Sequence, residues 1–192
     1  MHLSRTVTCS LVAVVALLLL GTVQPGSAQQ ARRASVIPPA AYRDVHSVDA
    51  LVRSIYDVIS GPAGKKRDYE RFRSLFAPEA RLIQVSVAPD GSRSVSVWTI
   101  EEFVAAQGAA LDSMDFFERE VAQRTERFGD VAHVLSTFEV GKSPDDRRPF
   151  ERGINSVQLR YDGRRWWCVT ILWTIERADL PIPAKYLKEA ER

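Results

Sequence analysis

Near its C-terminus the chain carries two β-patterned runs, INSVQLRY (Ile154–Tyr161) and RRWWCVTILW (Arg164–Trp173), joined by Asp162–Gly163. An Asp-Gly between such runs signals a hairpin, because the glycine accepts the positive φ that a tight turn requires. Pairing then follows by counting outward from the turn. A two-residue loop sets Tyr161 opposite Arg164, Leu159 opposite Trp166, Val157 opposite Cys168 and Asn155 opposite Thr170, and a four-residue loop keeps that parity. One predicted face therefore holds Asn155, Val157, Leu159, Trp166, Cys168, Thr170 and Leu172, which suits a core. The other holds Ser156, Gln158, Arg160, Trp167, Val169, Ile171 and Trp173. Left in water, Trp167, Val169, Ile171 and Trp173 would form a contiguous apolar patch, so this face predicts a cover. The expected cover is a second copy of the chain, giving a homodimer. The alternative is the 29–43 arm or the 180–187 tail folding back.

The preceding segments alternate in period. Ser47 is placed to cap a helix whose residues Val48, Leu51, Val52, Ile55, Tyr56 and Ile59 share a face, with Gly61–Pro62 as its stop. Asp68 caps a second helix bearing Tyr69, Phe72, Leu75 and Phe76, stopped by Ala77–Pro78. Leu82–Ala88 and Arg93–Trp98 flank Pro89–Asp90–Gly91 as two short strands. Thr99–Glu102 is a capping box opening a third helix to about Ala110. Asp115–Phe128 and Val131–Gly141, around Gly129–Asp130, read as a further hairpin in which Phe128 faces Val131, Glu126 faces His133 and Glu120 faces Glu139. The predicted class is α+β, with three N-terminal helices and a curved antiparallel sheet.

A short basic start, the apolar run Leu11–Leu20 and the small residues Gly26–Ala28 read as a signal peptide cleaved after Ala28. The run is shorter than the roughly 20 residues that span a bilayer. The expectation is a periplasmic or secreted chain with no membrane contact after cleavage. Its divisions are a leader (1–28), an extended arm or linker (29–46), a domain (47–177) and a tail (178–192). Removing the leader takes away Cys9 and leaves Cys168 unpaired, inside an apolar strand, as a core thiol. The formal net charge of +2 is spread without a basic stripe, which argues against nucleic acid. The two mature histidines, His46 and His133, and one cysteine offer no metal-ligand spacing, and no cofactor fingerprint is present.

The stretches DYERFRSLFAPEARLI, ERFGDVAHVLSTFE and INSVQLRYDGRRWWCVTILW resemble the nuclear transport factor two-like superfamily over roughly Ser47 to Glu176. That superfamily includes ketosteroid isomerase, scytalone dehydratase and SnoaL-like cyclases. The resemblance implies a cone of curved sheet wrapped by helices around a pocket, a fold that hosts unrelated chemistries. It puts Gln84 where the isomerase has its carboxylate base and Asn155 where it has a donor acid. Glutamine takes no proton at neutral pH, so that isomerase chemistry is disfavoured. The expected ligand is a small apolar or mixed-polarity molecule held by Asn155, Gln84, Tyr56, Trp98, Phe103, Trp166 and Thr170. The alternative is an isomerase, cyclase or hydrolase with His133 beside Glu126, or a Glu120/Glu139 carboxylate pair, as its base. A structural dimer or accessory domain of an envelope complex is a third expectation.

Overall fold

The computed structural model describes residues 37–187. The leader at 1–28, the first part of the arm and the last residues of the tail lie outside the described residues. The arm's end differs from the extended segment expected, because Tyr42–Val45 forms one helical turn, α1. Asp44 on that turn is buried, taking Arg71 Nε at 2.8 Å and Ser54 Oγ at 3.1 Å. These bonds fasten the arm to the two helices that follow. α2 (Val48–Ile59) starts where Ser47 Oγ accepts the Ala50 amide, and α3 (Tyr69–Ser74) where Asp68 accepts the Arg71 amide. α4 (Ile100–Ser113) carries both halves of the Thr99/Glu102 capping box.

Six strands form one sheet: β1 (Phe76–Val87), β2 (Arg93–Trp98), β3 (Phe117–Phe128), β4 (Val131–Gly141), β5 (Glu151–Tyr161) and β6 (Trp166–Ile175), in the order β2-β1-β6-β5-β4-β3. Every junction is antiparallel except β1–β6, which is parallel. α2 packs on the inner face, and its Leu51, Val52 and Ile55 join Val134, Phe138, Val157, Trp166 and Cys168 in the core. Gly153 makes room on β5 for the Phe138 ring. A Cβ there would lie 2.5 Å from both the Phe138 ring and the Thr174 carbonyl.

The β5–β6 turn is the four-residue kind, with Tyr161 opposite Trp166 and Gly163 at φ 91°. Asp162 organises it by accepting the Arg164 and Arg165 amides and the Trp167 indole N–H at 2.6 Å. Parity then holds only as far as Leu159 opposite Cys168. The next pair is Gln158 with Thr170, so Val169 is an extra residue, a β-bulge. Beyond it every side chain changes face. Val157 meets Ile171 and Asn155 meets Trp173, and both β6 residues turn inward.

This overturns the face predicted for Ile171 and Trp173, and that of Thr170 and Leu172, which point outward. Trp167 does lie on the outer face, where Arg165 stacks 3.6 Å from its ring centroid. The predicted apolar row of Trp167, Val169, Ile171 and Trp173 is therefore broken. A different outer row exists at Val97, Ile83 and Leu172, of which Val97 is 55% and Leu172 40% exposed. Part of the outer face is covered by the tail: a short 3₁₀ turn, Ala184–Tyr186, places the Tyr186 carbonyl 2.6 Å from Thr137 Oγ1.

A second bulge falls in β3. Glu126 faces His133 as predicted, but Ala122 pairs with Thr137 and Glu120 with Phe138, leaving Val121 extra. The Glu120/Glu139 pair expected from unbroken register does not form. Glu139 instead binds Arg119 at 2.8 Å.

Candidate functional site

Between the inner sheet face, α2 and α4 lies a cavity of about 190 Å³. A dry cavity of about 150 Å³ holds a benzene ring, so this one suits a one-ring molecule. Eight of its eighteen lining residues are aromatic. Trp173 stacks on Trp98 at 6.1 Å, Trp98 meets Phe103 edge-on at 6.0 Å, and Phe103 lies 5.7 Å from Phe72. Helical spacing on α2 supplies Ile55, Tyr56 and Ile59, and α4 supplies Phe103, Gln107 and Leu111.

The polar groups converge from three strands and two helices. Gln84 enters from β1, Glu118 from β3, Glu151 and Asn155 from β5, Tyr56 from α2 and Gln107 from α4. Glu118 is fixed by its backbone. The Ser60 hydroxyl at the end of α2 accepts the Glu118 amide at 3.0 Å, and Gly61 and Phe116 exchange backbone hydrogen bonds. Behind this junction the buried Arg67 guanidinium donates to the carbonyls of Ile59, Gly61, Pro62, Lys65 and Met114. A guanidinium has five N–H donors, and each has a backbone partner here.

Glu118 and Glu151 stand in one cross-strand row, both opposite Val140 on the strand between them. Adjacent strands lie about 4.8 Å apart, so the two backbones are about 10 Å apart and the carboxyls can lean together over Val140. Burial raises the Glu118 pKa to about 8, with the neighbouring Glu151 adding to the rise and a hydrogen bond from Asn155 opposing it. Burial likewise raises the Glu151 pKa.

Asn155 and Tyr56 belong to a strut between α2 and the sheet. Asn155 Nδ2 donates to Tyr56 Oη at 3.1 Å, Tyr56 lies 2.6 Å from Ser136 Oγ, and Ser136 donates to Glu120. Since the only serine proton goes to Glu120, the tyrosine donates to Ser136. Burial, reinforced by Glu118, pushes the phenol pKa upward, so Tyr56 stays protonated. With one amide hydrogen on Tyr56 and a bond to Glu118, Asn155 is largely engaged. The polar atoms left for a ligand are those of Gln84, Gln107, Glu118 and Glu151.

Of the sequence-predicted contact residues, Asn155, Gln84, Tyr56, Trp98 and Phe103 line the cavity. Trp166 faces inward but is packed in the core against Tyr161, and Thr170 is on the far side of the sheet. His133 is also on the outer face, with Nε2 2.9 Å from Ser156 Oγ, which removes it as a base for this cavity. Glu139 is held in ion pairs with Arg119 and Arg152, and Glu120 terminates the strut. Sequence reasoning missed Glu118, Glu151, Gln107 and the inward Trp173. Among the described residues no group of three or more His, Cys, Asp or Glu side chains could hold a metal ion.

No family model matches this chain, and no curated protein does. Solved structures do. A protein of unknown function with a cystatin-like fold from Nostoc punctiforme aligns with TM-score 0.53 and 17% identity, over 71% of this chain and 92% of the other. One from Caulobacter vibrioides, described in the same terms, aligns with TM-score 0.50 and 18% identity, over 70% and 90%. The fold is cystatin-like. A nuclear transport factor two-like protein of unknown function from Silicibacter pomeroyi is also similar, with TM-score 0.48 and 17% identity, over 68% and 94%. In this cystatin-like fold the cavity occupies the concave side of the sheet, with α2 and α4 as its other walls.

Proposed function

We propose that this chain is a small-molecule-binding domain whose ligand is a one-ring-sized, largely apolar molecule carrying a polar group. The observation that carries this reading is the cavity of about 190 Å³, lined by aromatic and aliphatic side chains with a few polar groups converging on it, the usual composition of a ligand site. The leader-like residues 1–28 add an exported setting, periplasmic or secreted. The outer row of Val97, Ile83 and Leu172 is the surface on which homodimerisation would rest.

The test is a thermal-shift and ligand-observed NMR screen of one-ring compounds, run beside the cavity-blocking variant Gln107→Trp. Gln107 is half-buried on α4, so an indole there closes the cavity without disturbing the core. Compounds that stabilise the wild type and not Gln107→Trp support the reading. A screen in which every hit binds both proteins equally removes it.

A second reading follows from the position of Glu118. A cavity carboxyl titrating near neutral pH is matched to proton transfer, which favours an isomerase, cyclase or hydrolase with Glu118 as its acid or base. Glu118→Gln should then abolish turnover of the bound compound while leaving its affinity within a few fold. Unchanged turnover would eliminate this reading.

A further inference from the structure

Resting on the small-molecule reading above, we infer that the ligand is a small organic cation, its charge held between Glu118 and Glu151 and its body against Trp98, Trp173 and Phe103. The residues lining the cavity include two glutamates and no lysine, arginine or histidine. Neither glutamate has an ion-pair partner among the described residues, although other acids such as Asp44, Glu101 and Glu139 are each paired with arginine. A buried carboxylate must be paired or give up its charge by binding a proton. The protein supplies no cation here, so the compensating charge is left to the proton or to the ligand.

The aromatic wall decides which ligand can replace the proton. Ring faces attract cations, and an aromatic cage is the recurrent way to hold a quaternary or primary ammonium group. Trp98 and Trp173 stack, with 24° between their planes, and Phe103 stands edge-on to Trp98 at 74°. All three rings line the cavity, while the carboxyl row over Val140 contributes from β3 and β5. An anionic ligand would meet two acids and no base. A neutral one would leave the carboxyls protonated.

The experiment uses three one-ring probes of similar size and different charge: phenyltrimethylammonium, its neutral isostere tert-butylbenzene, and benzoate. Binding is read at about pH 8.5 by quenching of tryptophan fluorescence and confirmed by ligand-observed NMR. The expected result is that the cation binds on the order of tenfold to a hundredfold more tightly than the isostere, and that benzoate does not bind. Glu118→Gln and Glu151→Gln should each weaken the cation by about tenfold and leave the isostere unchanged. Two single variants guard against one that fails to fold. If the isostere binds as tightly as the cation, or if neither glutamine variant weakens the cation, the charge inference is overturned and the small-molecule reading stands. If none of the probes binds, both fall.

Discussion

Replacing Glu118 by glutamine should change how stability depends on pH more than it changes stability itself. In the unfolded chain a glutamate titrates near 4.5, and burial raises Glu118 to about 8 in the folded one. Between those values the folded protein holds a proton that the unfolded chain has released. Stability therefore falls as pH rises through this window, and the loss is complete above about 8. The span from 4.5 to about 8, at about 1.4 kcal/mol per pH unit, sets a ceiling of about 5 kcal/mol. The side chain is half-buried rather than enclosed, so screening lowers this and about 2–3 kcal/mol is expected. The groups that interact with it are Tyr56 from α2 and Glu151 and Asn155 from β5; Arg43, Arg53, Arg71 and Arg119 line the cleft on its other side, and none of them forms an ion pair with it. Acids held low by partners, such as Asp44 by Arg71 and Asp162 by the Trp167 indole, lose their stabilisation only as pH falls into the acid range. They lie outside this window and are common to both proteins. Urea unfolding from about pH 5 to 9, followed by tryptophan fluorescence, should show wild type losing about 2–3 kcal/mol more than Glu118→Gln. Parallel curves for the two proteins would refute the burial of an uncompensated carboxyl.

Other substitutions test the parts that position this site. Arg67→Met strips five carbonyls of their donors at the α2–β3 junction and should cost about 3–5 kcal/mol, a fall of about 10 °C in Tm by calorimetry. Tyr56→Phe breaks the strut at both its Asn155 and Ser136 bonds and should cost about 1–3 kcal/mol in urea unfolding; an unchanged midpoint would show that the strut contributes nothing. Leu172→Arg on the outer row should convert a dimer to a monomer by light scattering, with Tm within a few degrees of wild type. Trp173→Arg should instead damage the fold, because Trp173 lies on the inner face and lines the cavity.

Local signals in the sequence translated directly into structure. Ser47, Asp68 and the Thr99/Glu102 box cap the helices they were expected to cap, because capping needs only side chains within three residues of each other. The Asp162 turn and the pairing nearest it also follow from short-range chemistry. Register further from the turns was not legible, since one extra residue reverses every later side chain. A trace of the β6 irregularity does exist in the chain. Pro78 lies inside β1, in the gap where register jumps from Phe76 opposite Cys168 to Arg81 opposite Thr170. Proline has no N–H for the ladder, and Val169 is the residue left over on β6 across that gap. Pro78 was legible as a helix stop; its effect on the parallel junction depends on which strand neighbours β1.

The same two bulges account for the composition of the cavity. In unbroken register from the Gly129 turn, with Val121 paired as an ordinary ladder residue, β3 would turn Phe117 and Arg119 inward and Glu118 and Glu120 out to solvent, where strand acids are ordinarily found. In unbroken register from the Asp162 turn, with Val169 paired as an ordinary ladder residue, β6 would turn Thr170 and Leu172 inward and Trp173 out. Leaving one valine unpaired in each ladder makes the opposite exchange, bringing Glu118 and Glu120 to the inner face on one strand and Ile171 and Trp173 on the other. A cavity of acids and indoles therefore comes from two positions whose own side chains, both valine, supply none of its chemistry. Search by residue type alone passes over Glu118 and Glu151 because a glutamate beside an arginine, as at Glu118–Arg119 and Glu151–Arg152, looks like a solvated surface. In the fold the pairs are split across the sheet: Arg119 and Arg152 meet Glu139 on the outer face, and their sequence neighbours are left on the inner one without a counter-ion among the described residues.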